Sequence, residues 1–278
     1  MSVALVSYVR YDSAFPYPST RMTMSYTSPL SVCLLLLIVL LGTGCRYEST
    51  APPAPAAPAP NTLTEAEKAD GWRLLFDGTT TAGWRGYNRD AFPEYGWKAE
   101  DGNLIVMPPD STGRSGGDLI TIEPFDHFDL RLEFKISPEA NSGILYLAQE
   151  LPDQAIWHSA PEFQVLDDSA YIGLEGFDLA THKTGDNYDL HAATTPAARP
   201  VGEWNEARIV VNHGHVEHWL NGIKTVEYQL GSPEWEALVA QSKFNEYPEY
   251  GRAEKGHIGL QDHDHLVWYR NIKIKTLE

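Results

Sequence analysis

Residues 129–136 alternate without a break. Leu130, Leu132, Phe134 and Ile136 occupy one parity, and Asp129, Arg131, Glu133 and Lys135 the other. Side chains of an extended strand point to opposite faces in turn, so this octapeptide buries one face and wets the other. A strand with one solvated face belongs to an antiparallel sheet, because parallel sheets are covered on both sides. The rest of the chain must then supply the layer that covers the apolar parity.

Other segments extend the pattern. Residues 72–76 read as a strand ended by an Asp77-Gly78 turn, and residues 97–106 as strand, turn, strand. Residues 142–148 (SGILYLA) are expected as the neighbour of 129–136, with 160–168 (APEFQVLDD) after them. Residues 208–211 and 216–220 form a hairpin around Asn212-His213-Gly214-His215, and Asn221-Gly222 opens another turn, a dipeptide that supplies the positive φ of tight hairpin loops. Residues 256–262 and 267–275 close the chain as two strands. Helices are few. Thr64 and Glu67 make a capping box for a short helix ended by Gly71; Ser232-Pro233 begins a second, with Trp235, Leu238 and Val239 on one face. Many short strands, few helices and 22 glycines predict an all-β sandwich with one or two short peripheral helices.

The N-terminal quarter is of another kind. Residues 30–41 (LSVCLLLLIVLL) are too short to span a bilayer, which takes about 20 helical residues, and fit the apolar region of an export signal. Leu-Gly-Thr-Gly precedes Cys45, a pattern similar to the bacterial lipoprotein signal, in which Cys45 carries lipid and begins the mature protein. Residues 46–62 are a Pro/Ala-rich linker, extended and semi-rigid, and 63–278 are the folded domain. The expected location is therefore the bacterial cell envelope, outer membrane or periplasm, with the membrane touched only through the lipid. Cys33 and Cys45 are the two cysteines of the chain, so the domain has no disulfide and depends on its core. A formal net charge of −17 argues against nucleic acid or anionic lipid as partner, since no basic patch is available to replace phosphate counterions.

Polar chemistry concentrates in two places. In 160–168, Glu162 and Gln164 share a strand face opposite Phe163 and Val165, either a solvated face or one that a ligand uses. Asp167 and Asp168 equally cap a turn into Ser169. Near the C-terminus, Gly259, Gln261 and His263 share a face opposite Ile258 and Leu260. The imidazoles and carboxylates of 261–265 (QDHDH) suit divalent cations, yet one hairpin cannot bring them all to one ion, and a polar turn accounts for 262–265 as well. No metal ligand is assigned and no cofactor is expected. His218 shares parity with Val216 and Leu220, which suits a core histidine as well as a catalytic one. Trp84, Tyr87 and Tyr146 either stack on a ligand or pack the core and rim.

Several segments together resemble one family. They are LFDGTTTAGWRGY (75–87), NSGILYL (141–147), PEFQVLDD (161–168), GEWNEARIVVNHGHVEHWLNG (202–222), GSPEWEALVAQSKF (231–244) and GHIGLQDHDHLVWYRNIKI (256–274). In that order they are similar to the bacterial 3-keto-disaccharide hydrolase family, over about residues 71–275. The resemblance implies a concanavalin A-like jelly-roll sandwich of two antiparallel sheets, one able to hold a glycan, and the cleavage of glycosidic bonds in 3-keto glycosides. Residues 182–191, with His182, Lys183, Tyr188 and His191, depart from the family pattern and lie where sugar preference is set.

The chemistry so implied is specific. A carbonyl at carbon 3 of a sugar acidifies the hydrogen on carbon 2, so a base removes it, the substituent at carbon 1 leaves, and water adds across the double bond. Such a site needs a general base, a donor or cation for the enolate oxygen, and a proton source, not the two opposed carboxylates of ordinary glycosidases. Gln164 stands where a glucanase of this fold would carry its second acid. The residues expected to act are Glu162, with His218 and His263 in catalysis. Gln164, Asp167, Lys183, Tyr188, His191 and Gln261 are expected to bind the carbohydrate. A separate oxidoreductase must supply the 3-keto substrate, because the chain has no G-x-G-x-x-G dinucleotide fingerprint. The alternative on the same fold is a non-catalytic glycan-binding module.

Overall fold

The computed structural model describes residues 58–175 and 177–278. The signal segment, Cys33, Cys45 and most of the linker lie outside the described residues.

The described chain opens with helix α1 (Glu65–Ala69) and strands β1 (Arg73–Leu74), β2 (Trp84–Gly86), β3 (Trp97–Glu100), β4 (Asn103–Val106) and β5 (Leu119–Thr121). Next come β6 (Phe128–Ile136), β7 (Asn141–Ala148), β8 (Glu162–Leu166), β9 (Asn205–Asn212), β10 (His215–Leu220) and β11 (Ile223–Gln229). Helix α2 (Pro233–Gln241), β12 (His257–Leu260) and β13 (Val267–Thr276) complete it. The strands form two antiparallel sheets. One has eight strands in the order β11-β10-β9-β6-β13-β4-β3 with β1 also paired to β13; the other has five, β2-β5-β12-β7-β8. This is the expected all-β jelly-roll sandwich with two short helices.

The alternation that predicted β6 is the geometry of the core. Leu130, Leu132, Phe134 and Ile136 are buried between the sheets, facing Ile144, Phe163, Val165 and Ile258 of the smaller one. Phe134 and Phe163 meet edge to face across the interface, ring centroids 6.5 Å apart. On the outer face Asp129 is held between Arg131 and Arg208, the latter by paired bonds of 2.9 Å.

One expectation fails. Residues 141–148 do not neighbour β6; they pair with β12 and β8 in the opposite sheet. The reason is burial. All eight residues of β7 are buried, whereas β6 alternates, so β7 needs cover on both faces. The link at residues 137–140 therefore carries the chain across the core instead of turning back beside it. The closing pair behaves likewise, β12 in the small sheet and β13 in the large.

Local chemistry places the elements that border the site. The Thr64–Glu67 capping box is present, and Ser232 caps α2 by accepting from the Trp235 amide. From α2 an aromatic column runs inward: Tyr228 on Trp235 at 5.0 Å, Trp235 on Tyr250 at 5.8 Å, and Tyr250 on Phe244 at 3.7 Å between centroids. Through Phe244 it anchors the short 3-10 turn Lys243–Glu246.

Candidate active site

Strand β8 is short, and all five of its residues are buried. Phe163 and Val165 enter the core, so Glu162 and Gln164 are directed to the other face of the small sheet. That face does not open to bulk water: Glu162 is 5% exposed and Gln164 1%. On the neighbouring strand Gly143 pairs with Gln164 and Leu145 with Glu162, and Gly143 accepts the Gln261 amide from the end of β12. Three strands thus bring their polar residues to one end of the sheet. They line a hollow of about 260 Å³ with Asn141, Trp157, Glu162, Gln164, Tyr188, Lys243, Gln261 and His263.

Gly143 makes the arrangement possible. A Cβ there would lie 2.0 Å from Oε1 and 2.6 Å from Cδ of Glu162, so the carboxyl occupies the space of a missing side chain. It takes no hydrogen bond from any described residue. Burial pushes it up to about 8 from 4.5, the nearby Asp118 adding to the rise and Lys243 opposing it. Asp118 is itself raised to about 7 by burial, and by the charge of Asp262. Gln164 uses Oε1 on the Val165 amide at 3.1 Å, while its buried Nε2 and the buried Oδ1 of Asn141 have no partner among the described residues. An unpaired buried polar atom costs about 1–3 kcal/mol, so two beside an unpaired carboxyl describe a surface made for a ligand rich in hydroxyl groups.

Glu162, Gln164, Tyr188, Gln261 and His263 come together as expected from the sequence. Others do not. His218 lies on β10 in the opposite sheet, 0% exposed, with Nε2 2.9 Å from the Tyr146 hydroxyl. Burial pushes it down to about 3, so it is a neutral core histidine, as its shared parity with Val216 and Leu220 allows. Asp167 turns away from the hollow and caps a turn, accepting from Ser169 Oγ at 2.6 Å and the Glu139 amide at 2.9 Å. Lys183 is exposed and His191 stacks on Tyr228 at 4.7 Å; neither lines the hollow. Trp84 bonds Leu75 from within the core, and Tyr146 is buried there too.

The loop that departs from the family pattern has a structural task as well. Gln164 donates to Asp186, Gly185 to Gln164 and Tyr188 to Glu162, all through the backbone. Residues 185–188 therefore cover the outer edge of β8, which would otherwise expose unpaired amides beside the site. Asp262 is occupied by the amides of Gly116 and Gly117, at 3.0 and 2.9 Å, and by its own turn through Asp264. Residues 262–264 accordingly form a polar turn that seats Gln261.

Sequence reasoning missed three lining residues. Asn141 shares parity with Gly143, and a polar residue beside a strand glycine was the available signal. Trp157 sits on an isolated 3-10 turn, Ile156–His158, that no periodicity announces. Lys243 follows α2, and nothing local distinguishes it from a surface lysine. Its ammonium lies 4.6 Å from the Trp157 ring centre and 4.3 Å from that of Tyr188.

With this geometry established, comparisons with known proteins are informative. Residues 71–275 match the family described as 3-keto-alpha-glucoside-1,2-lyase-like domain. A 3-keto-disaccharide hydrolase of Bacteroides thetaiotaomicron is 38% identical over 233 residues, spanning 76% of this chain and 80% of that protein. A crystal structure from Parabacteroides distasonis ATCC 8503, whose given name proposes a glycosyl hydrolase, superposes with a TM-score of 0.72 at 36% identity, covering 79% of this chain and all of that one. A second from the same organism reaches 0.55 at 28% identity, covering 74% and 99%.

Proposed function

Because the chain belongs to the 3-keto-alpha-glucoside-1,2-lyase-like domain family, we propose that it is a glycosidase-type hydrolase of 3-keto glycosides acting by elimination and hydration. One observation carries the mechanism. Glu162 is the sole carboxyl among the residues lining the hollow, and it is desolvated and unpaired. Ordinary retaining or inverting hydrolysis needs two carboxyls across the scissile bond; a base acting on carbon 2 needs one.

In the proposed reaction the Glu162 carboxylate takes the proton from carbon 2. The electron pair of that C–H bond moves toward the carbonyl and then expels the carbon-1 oxygen, which leaves with its bonding pair and collects a proton. The proton taken by Glu162 passes to that leaving oxygen. The freed carboxylate then takes a proton from water as the water oxygen bonds to carbon 1, and delivers this solvent-derived proton to carbon 2. Gln164, Asn141 and Gln261 hold the ring hydroxyls, with the unpaired Nε2 of Gln164 donating and Oδ1 of Asn141 accepting. In heavy water the released 3-keto sugar of 3-keto-trehalose is expected to carry deuterium at carbon 2. Release with that position wholly protiated would sink the mechanism.

The pH dependence has a definite sign. The base works as the carboxylate and its pKa is raised to about 8, so kcat/KM should climb with pH to a plateau beginning near 8. A profile already flat from pH 5 would mean that the titrating base is another group.

Placement in the envelope belongs to the same proposal. Export and lipid attachment at Cys45 would put the enzyme beside a separate oxidoreductase that installs the ketone. Labelled palmitate should enter the protein in a bacterial host and be lost in Cys45→Ser; equal labelling of that variant would refute the anchor.

A further inference from the structure

We propose that Lys243 is a second catalytic residue, the cation that receives the charge developing on the carbon-3 oxygen. The assignment rests on Glu162 as the base. When the carbon-2 proton leaves, its bonding pair becomes an enolate whose charge sits on that oxygen until the carbon-1 bond breaks and the ketone re-forms. A positive group already in position lowers this barrier, because it need not reorganise during the reaction.

Three features single out Lys243. It is the sole lysine or arginine among the residues lining the hollow, which also holds Glu162. Its ammonium makes no ion pair with any described carboxylate; it rests over the rings of Trp157 at 4.6 Å, Tyr188 at 4.3 Å and Phe244 at 5.3 Å. Ring faces hold a cation without neutralising it, so its N–H groups stay available to an oxygen in the hollow. Finally, the residue is fixed from behind. Its backbone amide donates to Asp189 Oδ2 at 3.2 Å, and the adjacent Phe244 is locked in the aromatic column. Lys243 is exposed along its length, yet its ammonium is laid against three rings at the mouth of the hollow instead of extending into water.

The titratable groups around the ammonium are Glu162 and Asp189, which favour its charge, and His158 and His182, on which it acts in turn. Desolvation lowers its pKa from 10.5.

The test compares Lys243→Met, Lys243→Arg and Glu162→Gln on 3-keto-trehalose, with melting temperatures recorded for each. Lys243→Met should lose about 10²-fold in kcat with KM changed by less than about threefold, the pattern of an interaction made in the transition state. Lys243→Arg should recover at least about tenfold of that loss, since the charge is kept and only its reach changes. The rising limb of the Lys243→Met profile should also move to higher pH, because the positive charge that favours the Glu162 carboxylate is gone. The proposal is overturned if Lys243→Met keeps kcat within about threefold while Glu162→Gln is inactive. It is equally overturned if Lys243→Met and Lys243→Arg lose activity alike in step with melting temperature, or if cyanoborohydride traps the sugar on Lys243 as a covalent imine. An active Glu162→Gln would instead remove the base on which the assignment rests.

Discussion

Glu162→Gln is expected to reduce turnover of 3-keto-trehalose by about 10³-fold or more, in keeping with the 10²–10⁴ that a positioned general base contributes. Glutamine keeps the shape and loses the proton acceptor, so sugar binding should persist within a few-fold. The same variant should be more stable than the parent at high pH. The folded-state pKa of Glu162 is about 8 against 4.5 for an ordinary glutamate. Between those values the folded protein binds the proton that the unfolded chain has lost, so stability falls as pH rises through that window. Glutamine has no such titration. The difference in melting temperature should be small at pH 4, grow from about pH 5, and level off above about 8. Activity lost together with stability gained is what a functional carboxyl in a desolvated site produces. A variant that kept its rate would end the proposal, and one that melted earlier at pH 8 would show the carboxylate to be a structural partner. A non-catalytic binding module would retain affinity in both forms and turn over nothing in either.

The second large effect concerns a residue with no reactive group. Gly143→Ala should lose about 10²-fold or more in kcat, with melting temperature unchanged or slightly raised. Its new Cβ would stand 2.0 Å from Oε1 of Glu162, against ordinary contacts of 3.4 Å and beyond, so the carboxyl must retreat by more than 1 Å. A misplacement of about 1 Å costs about 10²-fold when catalysis depends on orientation. Stability is spared because the atoms that must shift, Oε1, Cδ and Cγ of Glu162, belong to one side chain and none to the backbone, and alanine suits a strand better than glycine. An alanine variant as fast as the parent would mean that Glu162 does not act from the place it occupies.

The two sheets rest on patterns that a sequence displays openly. The alternation at 129–136 names its buried parity outright, and Asn221-Gly222 and Asp101-Gly102 mark turns whose residues take positive φ. Period two also put Glu162 with Gln164, and Gln261 with His263, because parity is a local property. The same reasoning placed His218 in catalysis although its parity also allowed the core, and burial against Tyr146 overturned that expectation. Asp167 was expected to bind carbohydrate, and turn capping took it instead.

Residues far apart in the chain are a different matter. That Lys243 faces Glu162 depends on an aromatic column begun by α2, and that Trp157 closes the hollow depends on a 3-10 turn without periodicity. Neighbour relations between strands were misjudged for β7, because adjacency in sequence does not say whether a four-residue link turns back or crosses the core. The residues by themselves therefore determined strand, parity, turn and cap, each decided within a few bonds by backbone geometry. Which side chains share a cavity, and how far burial shifts a proton's affinity, was decided only by packing, since desolvation and charge act through space and have no signature along the chain.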